Sequence, residues 1–170
     1  MKIRAFLLAF LLPACAFAQP SAQVSVPDSA PATLLAAPLL DTAGQPATLA
    51  QFRGKPLIVN FWARWCGPCR VEIPDLVAEH ARMKSAGVQV VGIALDDKPD
   101  AVRDFAKAYD VDYPVLLIKE GGPDLLKQLG NPQAGLPFTL VLNKDGKLVS
   151  YKLGAMSRAE ISAAVDAAGK

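Results

Sequence analysis

From Leu57 onward the apolar positions fall into short continuous runs separated by longer stretches with a helical repeat. Leu57-Ile58-Val59-Asn60-Phe61 has a single polar member, the pattern of a strand buried on both faces. Gly67-Pro68 then opens a helical segment that runs to about Ser85 and is closed by Gly87. Residues 88–95 form a second buried strand, and a helix from about Pro99 to Tyr109 places Val102, Phe105, Ala106 and Tyr109 on one face. A shorter strand at 115–118 and a short helix at 124–129 follow. Phe138–Leu142 and Leu148–Leu153 read as a hairpin around the turn Asn143-Lys144-Asp145-Gly146. Ser157, with Glu160 three residues later, is a capping box that starts the last helix.

Upstream, residues 34–40 and 47–49 predict two short strands around Asp41-Thr42-Ala43-Gly44. Strand-helix-strand units followed by a hairpin and a helix predict an α/β fold. It is a central mixed sheet flanked by helices, with a short N-terminal β-hairpin extension.

The 170 residues suffice for one domain and a tail. Residues 1–18, MKIRAFLLAFLLPACAFA, combine Lys2 and Arg4, an apolar run from Ala5 to Leu12 and the small-residue site Ala16-Phe17-Ala18. That is a secretory signal peptide, too short to span a bilayer. Leu12-Pro13-Ala14-Cys15 also resembles a lipobox, so acylation of Cys15 is the rival to cleavage after Ala18. Residues 19–33, rich in Pro, Ser and Ala, read as a flexible tether, and 34–170 as the folded domain.

Removing Lys2 and Arg4 from 18 basic residues leaves 16, equal to the 16 acidic ones. The mature chain is then formally neutral, which gives no electrostatic reason for nucleic acid or anionic membrane as a partner. Membrane contact is expected only through a lipid on Cys15.

Cys66 and Cys69 are the remaining thiols. A metal site needs about four ligands, and the mature chain adds only His80, so neither metal nor cofactor is expected. A structural disulfide closing so small a loop removes little unfolded-state entropy. A peroxidatic thiol needs a group in the preceding turn to hold peroxide, whereas Ala63, Arg64 and Trp65 stand there. A cycling dithiol has a physical basis: Cys66 lies at a helix N-terminus, where the dipole and free N–H groups favour a thiolate, and Cys69 lies one turn deeper. Gly67 and Pro68 suit the tight start of that helix.

The stretch Phe61-Trp62-Ala63-Arg64-Trp65-Cys66-Gly67-Pro68-Cys69 resembles the thioredoxin active site. With Phe52-Arg53-Gly54-Lys55-Pro56 before the strand, it resembles the exported TlpA/ResA-type thiol-disulfide oxidoreductases over roughly residues 34–168. The resemblance implies a thioredoxin fold and the family's kinking proline at Pro74. It also implies a cis-proline at Leu136-Pro137 that presents Leu136 to the substrate strand. Cytosolic thioredoxins carry a titrating aspartate at the strand position held here by Asn60. In the ResA-like branch a glutamate three residues after the second cysteine is implicated instead, and Glu72 holds that place.

Glu72 is either a partly desolvated proton exchanger one turn from Cys69 or an ordinary solvated glutamate of a first helical turn. Trp65 is expected in an apolar docking surface and Trp62 in the interior. Arg64 and Arg70 either raise the local potential or are solvated, and His80 is expected on the helix surface.

The resemblance implies a periplasmic enzyme, or a lipoprotein facing the periplasm, that reduces protein disulfides through Cys66 and Cys69. A membrane thiol-electron donor and a task in cytochrome c maturation or metal-site thiol reduction follow by analogy. A disulfide oxidase or isomerase, and a non-catalytic peptide-binding module, are the alternatives.

Overall fold

The computed structural model describes residues 25–96 and 98–169. The signal region, Cys15 and the first part of the tether lie outside the described residues. Strands β1 (Leu39–Asp41), β2 (Pro46–Ala47), β3 (Leu57–Trp62), β4 (Gln89–Ala94), β5 (Val115–Leu117), β6 (Phe138–Leu142) and β7 (Leu148–Leu153) form one sheet. Their order is β2-β1-β5-β4-β3-β6-β7. β3, β4 and β5 run parallel, and β1, β2, β6 and β7 complete the sheet through antiparallel pairs. The helices are α1 (Ala30–Ala36), α2 (Gly67–Ser85), α3 (Pro99–Ala108), α4 (Gly122–Gln128) and α5 (Arg158–Ala168).

Every residue of β3 is buried, so its alternation separates two cores. Leu57, Val59 and Phe61 join Val91, Ile93, Phe138, Leu140 and Leu142 under α1 and α4. Ile58, Asn60 and Trp62 point the other way, toward α2, α3 and α5. There Ile58 meets Leu76, Met83 and Ile161, and Trp62 meets Cys69, Ile73 and Val102.

The expected N-terminal hairpin forms, but it begins later than residues 34–40 imply. Ala30–Ala36 is a helix, with Pro31 in its first turn and Ala30 and Leu34 fully buried one turn apart. Ala and Leu are strong helix formers and proline suits the first turn, so local propensity outweighs the short apolar run. Folded chain therefore reaches back into the stretch that reads as tether. Val26 packs on the same core, and a side chain at Gly130 would collide with the backbone of Ser25 and Val26. At the start of β3, Val26 and Asp28 line a cleft with Leu57, Leu142 and the β6–β7 turn.

The β6–β7 hairpin and the helix beginning at Gly67 form where the sequence places them. Ser157 accepts the Glu160 N–H while the Glu160 carboxylate accepts the Ser157 N–H.

Candidate active site

β3 ends at Trp62, and four residues later Cys66 caps α2. Its Sγ accepts the backbone N–H of Cys69 at 3.2 Å, one of the helix's otherwise unpaired donors. Cys66 and Cys69 form a disulfide with Cα atoms 5.3 Å apart. The two sulfurs are unequal: Cys69 is fully buried, whereas Cys66 keeps 5% exposure between exposed Trp65, Gly67 and Pro68. Pro68 occupies the first helical turn, where its missing N–H costs no bond.

Trp65 stands 72% exposed beside a groove lined by Leu95, Asp96, Ile118, Lys119 and Pro123. Trp62, by contrast, is buried and stacks on Phe105 with ring centroids 5.0 Å apart. Gly92 on β4, opposite Asn60 in the ladder, makes that placement possible, because a Cβ there would lie 2.8 Å from the indole nitrogen.

The Leu136–Pro137 peptide is cis. Pro137 is buried and Leu136 half-buried, packed against the apolar cluster that contains both cysteines. Pro74 lies inside α2, which continues to Ser85.

Glu72 is not the solvated residue of a first turn. It is 1% exposed, on the buried stripe of α2 that also carries Cys69, Ile73 and Leu76. Its Oε1 accepts the Met156 N–H at 3.0 Å, and its Oε2 accepts the Asn60 amide at 3.1 Å. Burial pushes this carboxyl above its ordinary value, and the Met156 and Asn60 hydrogen bonds offset only part of that. Asn60 Nδ2 also donates to Thr139 Oγ1 at 2.9 Å. Desolvation first, then the nearby Glu72 charge, raises the buried Tyr113 hydroxyl too.

Sequence reasoning missed Asp96 and Thr139. Asp96, at the end of β4 and 6% exposed, accepts the Arg64 backbone N–H at 3.0 Å and pairs with its guanidinium at 3.2 Å. It thereby ties the turn before Cys66 to the neighbouring strand. The acidic pair Asp96-Asp97 just after a predicted strand was the available signal, since ligand and site residues gather at those ends. Arg70 donates to the Tyr109 hydroxyl at 2.8 Å. His80 is not a free surface residue: its ring is 12% exposed, with Nδ1 2.7 Å from Asp112, and it meets Tyr113 edge-on. Among the described residues no group of three or more His, Cys, Asp or Glu side chains could hold a metal ion.

The Redoxin family matches residues 21–167. The thiol-disulfide oxidoreductase ResA of Bacillus subtilis (strain 168) is 34% identical over 125 residues, covering 72% of this chain and 66% of that protein. A thiol:disulfide interchange protein of Chlorobium tepidum TLS superposes with a TM-score of 0.65 at 31% identity, over 79% of this chain and 95% of that one. A secreted Mycobacterium tuberculosis disulfide oxidoreductase, homologous to E. coli DsbE, superposes with a TM-score of 0.66 at 26% identity, over 80% and 98%. With the fold, the Cys66–Cys69 disulfide on a helix N-terminus and these relatives in agreement, the chain belongs to the Redoxin family as a thioredoxin-fold thiol-disulfide oxidoreductase.

Proposed function

We propose that the protein is an exported reductase of protein disulfides. The observation that carries this reading is the unequal burial of the two sulfurs at the start of α2. Only Cys66 can be reached from solvent, and as a thiolate it is favoured by the helix dipole and by the Cys69 N–H. Its thiolate attacks one sulfur of a client disulfide, forming a mixed disulfide and releasing the first client thiolate. Cys69 then attacks Cys66 Sγ, releasing the second client thiolate and leaving the enzyme oxidised by two electrons. Trp65, Gly67 and Pro68 border Cys66 and form the docking surface with Leu136 and Pro137. Leu136 pairs its main chain with the client strand, and its side chain tunes selectivity.

Glu72 exchanges the proton of Cys69. Both residues are buried one helical turn apart, and a carboxyl held above its ordinary value is matched to that task. Regeneration requires a thiol donor. For an exported enzyme that donor is a membrane thiol-electron carrier, and apocytochrome c or metal-site cysteines are the clients. The leader-like residues 1–18 and the secreted relative support export. Among the described residues no helix is long and apolar enough to cross a membrane; contact with one would come through acylated Cys15.

The deciding measurement is the reduction potential of the couple, followed by Trp65 fluorescence in a dithiothreitol or glutathione buffer. A value at or below about −220 mV supports a reductase; one near about −120 mV makes the protein an oxidant. Insulin reduction by Cys66→Ser should fall more than about 10³-fold, and equal activity would leave only a peptide-binding module.

A further inference from the structure

Asn60 occupies the centre of the sheet at 0% exposure, opposite Gly92 on β4 and Thr139 on β6. Its amide nitrogen donates twice, to Glu72 and to Thr139, while its carbonyl oxygen Oδ1 has no hydrogen-bond partner among the described residues. A buried amide with one end doubly used and the other unused is costly. The arrangement makes sense for a carboxyl that changes state. The oxygen and nitrogen of the amide are nearly the same size, so a half-turn about the last side-chain bond puts Oδ1 where Nδ2 was.

In that orientation Oδ1 accepts from a protonated Glu72, and the Thr139 hydroxyl, donor or acceptor as required, turns to donate to it. We propose that the Asn60 amide is a two-way hydrogen-bond pivot, oriented against Thr139, that serves Glu72 in both its ionised and its neutral form. Asn60 and Thr139 are positioning residues that touch neither sulfur; they let a buried carboxyl gain and lose a proton without leaving either form unpaired. Aspartate here would set two carboxylates side by side, and an aliphatic residue would serve neither form. The other ionisable groups around Glu72 are Tyr113 ahead of β5, Lys152 on β7 and Glu160 on α5, and Cys69 on its own helix joins them only when the disulfide is reduced. The Met156 N–H faces the other carboxylate oxygen in both orientations.

The proposal rests on Glu72 being the proton exchanger, and NMR separates the two ideas. The chain has three asparagines, Asn60, Asn131 and Asn143, so a sample labelled at asparagine nitrogen and glutamate carboxyl carbon gives a simple spectrum. In the oxidised full-length domain, the Asn60 side-chain signals are expected to shift with the same midpoint as the Glu72 carboxyl carbon. They should be flat in Glu72→Gln. In Asn60→Leu the Glu72 midpoint should rise by about one pH unit, because a hydrogen bond to a charged group is worth more than one to a neutral group. Asn60 signals that stay flat through the Glu72 titration overturn the pivot, as does a Glu72 carbon that does not titrate between about pH 4 and 10. The first readout uses the native sequence, so it holds even if Asn60→Leu does not fold. If the Asn60 signals follow Glu72 while Glu72→Gln leaves the pH profile of thiol exchange unchanged, the pivot stands and the proton-exchange role falls.

Discussion

The two faces of the central sheet are built to different rules. Under α1 and α4 the fully buried side chains of β3, β4 and β6 are hydrocarbon: Leu57, Val59, Phe61, Val91, Ile93, Phe138, Leu140 and Leu142. One register step away, the same strands present Asn60, Gly92 and Thr139 to α2, and α2 answers with Glu72. That second face also leaves buried polar atoms of Asn60, Trp62 and Tyr113 without partners among the described residues. Native interiors rarely tolerate such groups without a reason. The apolar face gives cohesion, and the polar face spends some of it on holding a buried carboxyl one helical turn from Cys69.

The sharpest way to break this division is to damage the apolar face alone. Leu140→Ala, at 0% exposure, should cost about 2–5 kcal/mol in urea denaturation. Insulin turnover per folded molecule should stay within about twofold of the parent, because Leu140 lies across the sheet from α2. A matching loss of turnover would show that the two faces are not separable.

On the polar face, Glu72→Gln should slow disulfide exchange by about 10²-fold at neutral pH, measured by stopped-flow thiol exchange. It should have the opposite effect on stability. The folded-state value of Glu72 is raised above its ordinary 4.5, so the stability tied to its protonated form is complete below that pH. That contribution is lost as pH rises through the raised value. The Gln variant lacks the slope, and its advantage in unfolding free energy should widen with pH above 4.5.

A smaller effect is expected where the two faces meet the active-site turn. Asp96→Ala removes the acceptor for the Arg64 N–H and the partner of its guanidinium, and should cost about 1–3 kcal/mol while altering Trp65 fluorescence. Smallest is Glu160, at the exposed start of α5. Its hydrogen bonds to Lys152 and then to Ser157 lower its carboxyl to about 2. The support it gives α5 is present above the ordinary value and lost as pH falls toward 2, and Glu160→Gln should abolish that dependence in amide exchange of the helix.

What was legible in the sequence were features carried by neighbours along the chain. The buried run of β3, the Gly-Pro start of α2, the β6–β7 turn and the Ser157 cap are local patterns, and each forms as read. So is the Cys66–Cys69 pair. What escaped depends on side chains brought together by the sheet. Asn60 and Thr139 are 79 residues apart and meet only because β3 and β6 are in register. Arg64 and Asp96 are 32 apart and meet because β3 and β4 end together. Glu72 was marked by the family resemblance, and its spacing from Cys69 could not tell a buried state from a solvated one. Helix α1 escaped for another reason: an apolar run too short to separate helix from strand.

The placement of Val26 and Asp28 beside Leu57 sets the orientation of the whole molecule. The leading segment reaches the domain where β3 begins, and the disulfide lies past the other end of that strand, about 20 Å away at 3.3 Å per residue. The first described residues therefore meet the domain at one end of β3, and the dithiol faces away from them at the other end, so the approach to Cys66 is clear of that segment.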